Sequence, residues 1–178
     1  MNKFKFSEMC FSCRECCRFL KSQQYFAPVF TEEEYKKLKS MHKNLPRFKR
    51  HIGSKNVYQV ILKKSKLYPK EYVCPFLDEK KHSYKIYNNR PFDCKIWPFI
   101  VMKKGKRTVI SYFSGDYCDI VDSLPRKIFN SYKKSVVEFI TSKKCLRTIK
   151  THPALIWKYE KGTKRVKDIT KLLNSSIC

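Results

Sequence analysis

The sequence predicts an α+β fold in one small domain, with short antiparallel strands and a few helices. Two stretches carry apolar residues at helical spacing, and several β-branched runs are separated by turn residues. No internal repeat or long linker interrupts the 178 residues. Because 42% of them are hydrophobic, the chain can bury one core, and we expect a single domain over residues 1–178.

Two main helices are predicted. The run from Thr31 to Glu34 has the form of a capping box, and the apolar residues after it predict a helix over about 32–43. Apolar residues also recur at i, i+3 and i+4 from Leu124 to about Arg147, which predicts the longest helix. A short helix over 166–173 would complete a helical C-terminal part spanning 124–173.

Three regions predict strands. Residues 57–62 form a β-branched run, and residues 72–77 form another that Pro75 confines to a strand end or a sheet edge. Residues 99–102 and 108–113 flank a Lys-Lys-Gly-Lys turn, which predicts a β-hairpin.

Composition restricts the location and the partners. No apolar run approaches the roughly 18 residues of a transmembrane helix, and the N-terminal residues lack a signal-peptide core, so we expect a cytoplasmic protein without a transmembrane segment. The formal net charge is +25, but basic residues are spread over the whole chain. Nucleic acid is therefore an open but not a favoured partner, and a protein partner stays undefined.

Four of the nine cysteines fall within eight residues, and in a reducing compartment such a cluster indicates metal binding rather than disulfides. They are Cys10, Cys13, Cys16 and Cys17. Two-residue spacers allow successive thiolates to turn back onto one metal. Side chains of adjacent residues diverge in a helix or a strand, so we expect Cys16 and Cys17 to serve different metals, or one of them to support the site without binding.

Three remote cysteines lie beside Pro, Gly or aromatic turn residues, where the backbone can approach a metal closely. They are Cys74, Cys94 and Cys118. We expect a loop-held metal centre in the region 10–118, with the strands and helices around it. Cys145 on the predicted long helix and Cys178 at the C-terminal end are interpreted as ordinary thiols.

The run Cys-x-x-Cys-x-x-Cys-Cys, the later Cys-Pro-Phe-Leu, and Ile86 to Pro91 with Cys94 three residues on resemble the YkgJ-like CxxCxxCC cysteine-cluster family. Its members are described as zinc- or iron-chelating domains. The resemblance implies metal-ligand roles for Cys10, Cys13, Cys16, Cys17, Cys74, Cys94 and Cys118. Tyr84 stands where the family pattern usually has a further cysteine, so the site is one ligand short or uses a phenolate or water.

The resemblance extends to flagellin lysine N-methylases, which share a cysteine-cluster segment. A conventional Rossmann unit for S-adenosylmethionine needs a glycine-rich turn, and no Gly-x-Gly pair is present, which disfavours a self-sufficient methyltransferase. The sequence leaves open whether the protein is an enzyme.

Two metal types remain in competition. Cys10, Cys13 and Cys16 match the first three ligands of a bacterial ferredoxin run, and Cys74 could supply the fourth ligand of a [4Fe-4S] cluster. Any four thiolates could instead close a tetrahedral zinc site, and iron ions are also open. The sulfur-rich set favours the cluster. The leading function is metal handling or electron transfer; a lysine N-methylase-like enzyme and a basic nucleic-acid-binding module with structural zinc are the alternatives.

Overall fold

Short strands and helices alternate along the chain, which confirms the predicted α+β class. The structure, a computed structural model, describes residues 16–81, 83–115 and 118–175. The chain divides into two compact units, Met1–Lys95 and Ile96–Cys178. Each unit has its own secondary structure and buried residues.

The first unit contains small antiparallel sheets whose strands have only two to four residues. The sheets have the orders β1-β6-β5, β2-β4-β3 and β7-β8 within residues 16–95, His82 aside. The strands are β1 (Arg18–Phe19), β2 (Val29–Thr31), β3 (Phe48–Arg50), β4 (Val57–Val60), β5 (Lys63–Lys64), β6 (Tyr72–Val73), β7 (Leu77–Asp78) and β8 (Ser83–Tyr84).

The strand predictions for this unit are confirmed in position but not in length. The run over 57–62 forms β4, and the run over 72–77 is split into β6 and β7. The split occurs at Pro75, where the Leu77 N–H donates to the Cys74 carbonyl at 2.9 Å and closes a turn. Proline cannot donate a backbone hydrogen bond to a neighbouring strand, which is why pairing stops there.

The described residues of the first unit form two α-helices. These are α1 (Glu32–Met41) and α2 (Phe92–Ile96), whose last residue begins the second unit. The predicted capping box at the start of α1 is confirmed. The Glu34 N–H donates to the Thr31 hydroxyl at 3.2 Å, and the Thr31 N–H donates to the Glu34 carboxylate at 3.1 Å. Short 3₁₀ turns at Lys21–Phe26 and Tyr87–Asn89 precede β2 and α2, respectively.

The second unit is built on a sheet with the order β11-β9-β10-β12. Its strands are β9 (Phe99–Lys104), β10 (Arg107–Tyr112), β11 (Trp157–Lys158) and β12 (Lys164–Asp168). The predicted hairpin is confirmed, with both strands extended to a tight turn in which Gly105 has φ +59°. Glycine adopts this left-handed conformation without strain. Strand β11 pairs parallel to β9, unlike the expected antiparallel pattern.

The helices of the second unit are α3 (Asp119–Ser123), α4 (Arg126–Ile140), α5 (Lys143–Thr151) and α6 (Thr170–Asn174). The prediction of one long helix from 124 to 147 is wrong. The chain leaves the helix at Thr141, and the Ser142 hydroxyl caps a new helix by accepting from the Cys145 N–H at 3.3 Å. Serine competes with the helix for backbone hydrogen bonds and so favours a cap.

The predicted helix over 166–173 is also only partly present. Residues 164–168 form β12 beside β10, and the helix is confined to α6. The part of the chain from 124 to 173 is therefore mixed rather than helical. Sheet pairing with β10 satisfies the backbone of β12, which a local pattern of apolar residues does not reveal.

No helix in the described part of the chain is long and apolar enough to cross a membrane.

Candidate metal centre

Strand pairing brings Cys17 beside Cys74. Cys16 and Cys17 lie in a turn directly before β1, and β1 pairs with β6 so that Arg18 is opposite Val73. The next pair outward is Cys17 and Cys74, where the Cys74 N–H donates to the Cys17 carbonyl at 3.0 Å. The antiparallel register, rather than the loop sequence, therefore sets the distance between these two cysteines.

Arg18 holds this strand pair through its side chain. Its guanidinium forms a bidentate ion pair with Glu71 on the segment that enters β6, and it lies 4.0 Å from the centre of the Tyr68 ring. Bidentate arginine–carboxylate pairs are among the stronger polar contacts in proteins. The two-residue strands β1 and β6 thus gain a side-chain link that their few backbone hydrogen bonds do not provide.

Cys74 is fully buried in an apolar cluster and faces the hydroxyl of Tyr84. The Cys74 Sγ and the Tyr84 oxygen are 3.5 Å apart, within hydrogen-bonding distance for sulfur. Leu77 pairs with Tyr84 between β7 and β8, so the turn at Pro75 folds the Tyr84 ring back towards Cys74. The surrounding cluster consists of Phe30, Leu38, Val60, Phe76 and Ile86.

Cys94 lies on the five-residue helix α2. The preceding Arg90 stacks its guanidinium 3.8 Å from the centre of the Tyr87 ring and donates from Nε to the Tyr87 carbonyl at 3.1 Å. Its positive charge lowers the pKa of Cys94, against a larger opposite effect of burial. Arg90 therefore has a stacked position close to the cysteines.

The thiols of Cys16, Cys17, Cys74 and Cys94 are close enough to influence one another's ionisation. Burial raises the pKa of Cys74 to about 11, and burial together with negative charge on Cys74 and Cys16 raises the pKa of Cys94. A hydrogen bond with Cys16 and then burial raise the pKa of Cys17. Without a cation, Cys17, Cys74 and Cys94 are therefore neutral thiols near pH 7.

Tyr84 belongs to the same electrostatic group. Burial raises its pKa well above the ordinary value, and negative charges on Cys94, Cys74 and Cys17 add to this effect. One phenol and four thiols thus meet in one region of the first unit. We refer to Cys16, Cys17, Cys74, Cys94 and Tyr84 as the cysteine–tyrosine cluster.

The expectation that Cys16 and Cys17 serve different metals, or that one of them only supports the site, stays a prediction. The two residues occupy a turn instead of a helix or strand, and their side chains are hydrogen-bonded to each other. Divergence of neighbouring side chains holds for regular secondary structure, and a turn removes that constraint.

The remaining predicted ligands lie elsewhere. Cys10 and Cys13 are outside the described residues. Cys118 is buried in the second unit, where its N–H donates to the Gly115 carbonyl at 3.0 Å just before α3. Cys145 is buried on α5, and Cys178 is outside the described residues.

The residue types in the cluster suit zinc or iron. Thiolates are soft ligands that select zinc, copper(I) or iron–sulfur clusters. Within residues 16–81, 83–115 and 118–175, no group of three or more His, Cys, Asp or Glu side chains is arranged to hold a metal ion as it stands. The four thiols of the cluster therefore lie near one another, but they are not arranged around a single metal position.

Sequence reasoning missed one residue of this region, Glu34, which it explained by helix capping alone. The Glu34 carboxylate also accepts from the Lys95 ammonium at 3.3 Å. Burial raises its pKa, and the positive charge of Lys95 is the largest opposing effect. A contact between residues 61 positions apart leaves no local signal in the sequence.

Comparison with known families gives one match. The family model CxxCxxCC, described as "Putative zinc- or iron-chelating domain", matches residues 9–119. This range includes every cysteine from Cys10 to Cys118. No curated protein and no solved structure matches the chain.

Proposed function

The chain belongs to the CxxCxxCC family of zinc- or iron-chelating domains, and on that premise we propose that its cysteines hold a resident metal centre for metal handling or electron transfer. The favoured occupant is a [4Fe-4S] cluster, and zinc or iron ions are the alternative. The observation that carries the proposal is the cysteine–tyrosine cluster, in which four thiols and a phenol from separate parts of the chain meet.

A bound cation explains why several ionisable thiols are buried close together. Negative charge on Cys16, Cys74 and Cys94 adds to the raised pKa of Cys17, and charge on Cys74 and Cys16 adds to that of Cys94, so these thiols resist ionisation without a cation. A bound metal reverses this effect, because the ion attracts the same negative charges that otherwise repel one another. Metal binding therefore converts neutral thiols into thiolates and releases protons.

The ligands come from two kinds of segment. Cys10, Cys13 and Cys16 supply three closely spaced thiolates, and Cys74 supplies a fourth from the turn at Pro75. Cys17 and Cys94 remain for a second ion. Because the described thiols are not closed around one point, the centre is completed when the segment that bears Cys10 and Cys13 binds the same metal.

The occupant is identified by purification of the full chain under anaerobic conditions. We expect a brown protein that contains iron and acid-labile sulfide, with broad visible absorption. A colourless protein with stoichiometric zinc would show that the metal centre holds zinc instead of an iron–sulfur cluster. A protein that takes up neither metal after incubation with either one would overturn the proposal.

Single substitutions test the ligands. Cys10→Ser, Cys13→Ser, Cys16→Ser and Cys74→Ser are each expected to lose bound metal, because the serine hydroxyl is a poor ligand for these metals. Cys145→Ser and Cys178→Ser are the controls and should retain it. Equal metal loss in ligand and control variants would show nonspecific damage and contradict the assignment.

A further inference from the structure

Glu34 and Glu32 both lie in the first turn of α1, but their contacts differ. The Glu34 side chain is 21% exposed, and its carboxylate accepts from the Thr31 N–H at 3.1 Å and from the Lys95 ammonium at 3.3 Å. Glu32 is 38% exposed and pairs with Lys36 on the same helix. The Glu34 carboxylate thus links α1 to α2, whereas the ion pair of Glu32 stays within α1.

Helix α2, which bears Lys95, depends on contacts with other parts of the first unit. Helix α2 has five residues, which is far below the length at which an isolated helix is stable in water. The first N–H groups of any helix lack partners within the helix. Lys95 of α2 pairs with the Glu34 carboxylate at 3.3 Å. Burial raises the pKa of Glu34, and the backbone N–H of Phe92, the first residue of α2, opposes this rise. The carboxylate therefore fixes the helix from outside, next to Cys94.

Within α1, Glu34 lies close in sequence to residues of the apolar cluster that surrounds Cys74. Thr31 follows Phe30 in β2, and Leu38 lies one turn after Glu34 in α1. Phe30 and Leu38 are both buried in the cluster with Cys74. Glu34 therefore connects the part of the first unit that contains Cys74 to the helix that bears Cys94.

We propose that Glu34 is a positioning residue for the metal centre, fixing α2 against the apolar cluster so that Cys94 is held beside Cys74 in the centre. The inference rests on the proposed function, because it assumes that these cysteines bind metal. Glu34 itself is not a ligand in this account. Its effect reaches the metal through the backbone of α2.

The capping box offers a matched control. Thr31→Ala removes the hydroxyl that caps α1 but keeps the Thr31 backbone N–H and the contacts of Glu34 with α2. Glu34→Ala removes the acceptor of the Thr31 N–H and the link to Lys95, while the backbone N–H of residue 34 can still donate to the Thr31 hydroxyl. Glu34→Gln keeps one carbonyl oxygen that can accept from the Thr31 N–H, but it loses the charge that pairs with Lys95. Its cobalt affinity is therefore expected to lie between those of Thr31→Ala and Glu34→Ala.

The test uses cobalt(II) added to the reduced full chain, because cobalt bound to thiolates has strong charge-transfer and d–d absorption. Affinity is measured by competition with a chelator, geometry by the absorption at saturation, and stability by denaturant unfolding. Glu34→Ala should weaken cobalt binding about tenfold, as expected for residues that orient metal ligands, and should alter the spectrum. Thr31→Ala and the exposed control Glu32→Gln should keep the wild-type spectrum and affinity.

The outcomes are separable. If Thr31→Ala and Glu34→Ala lower stability and cobalt affinity to the same degree with unchanged spectra, Glu34 acts only on the fold and the inference is overturned. An unaltered affinity and spectrum in Glu34→Ala overturns it as well. If the wild-type chain shows no thiolate-to-cobalt absorption and also takes up neither iron nor zinc, the proposed function itself fails.

Discussion

The two compact units of this protein are stabilised in different ways. The first has strands of two to four residues, and the second has a hairpin of two six-residue strands within a larger sheet. In the second unit, Phe99 stacks on Phe129 with ring centres 6.1 Å apart and contacts Tyr132 edge-on. Buried Ile140 and Ile149 extend this core. Its stability follows from apolar packing.

The first unit depends more on individual side-chain links. Arg18 pairs with Glu71 across β1 and β6, and Glu34 connects α1 with α2. The Glu79 carboxylate accepts from the Ser65 hydroxyl and from the Lys66 N–H, which stabilises the turn after β5. Short strands give the first unit less regular pairing than the second, so these side-chain contacts carry more of its stability.

The largest expected effect comes from metal removal. Chelation under reducing conditions should expose the backbone amides of the first unit to hydrogen exchange, because metal binding is coupled to folding where a centre holds loops together. The sheet of the second unit should keep its protection. Hydrogen exchange with mass spectrometry measures both units at once. An equal loss of amide protection in the two units would contradict the difference described above.

The same experiment reports on Cys118, the predicted ligand that lies in the second unit. If Cys118 binds the centre, amides around α3 should lose protection together with the first unit. If they follow the sheet instead, Cys118 is a buried thiol of the second unit and should be removed from the ligand set.

The next effect in size is expected for Phe99→Ala in the second unit. Loss of a fully buried phenylalanine costs about 3–5 kcal/mol of unfolding free energy, while the metal content should stay at the wild-type level. Denaturant unfolding and metal analysis measure the two quantities. Ile128→Ala, which alters an exposed side chain of α4, is the control and should change neither. Metal loss in Phe99→Ala would contradict the independence of the two units.

The smallest effect is expected for Tyr84→Phe, which removes only the hydroxyl that faces Cys74. A thiolate carries no proton, so in the metal-bound protein the phenol must be the donor of this hydrogen bond. Its loss should weaken metal binding by about 1 kcal/mol and shift the thiolate-to-metal absorption, with the stoichiometry unchanged. Competition with a chelator and the visible spectrum measure this effect.

Tyr84→Cys is the companion variant for the same position. A thiolate at this site should bind the metal more tightly than the wild-type phenol, because Tyr84 lies beside Cys74 and shares the electrostatic environment of Cys17 and Cys94. Unchanged affinity in Tyr84→Cys, together with an unchanged spectrum in Tyr84→Phe, would place Tyr84 with the apolar cluster and outside the centre.

Local patterns in the sequence predicted several elements correctly. The capping box of Thr31 and Glu34, the strand end at Pro75 and the hairpin around Gly105 each depend on residues a few positions apart, so the sequence contains their whole cause. The cysteine spacing likewise identified the metal-binding family, because that signature is itself a set of residue types at fixed positions along the chain. The break at Ser142 was missed because helical periodicity continues across it, while one serine hydroxyl decides where the chain turns.

The sequence by itself determined that this is a cysteine-rich α+β protein, and which residue types are available to a metal. Only the tertiary structure decided which of them meet: the β1–β6 register places Cys17 beside Cys74, the β7–β8 pair returns Tyr84 to the same point, and Glu34 reaches Lys95. These contacts join residues that are 10 to 61 positions apart. Their energies depend on strand register and burial, which short-range sequence patterns do not encode.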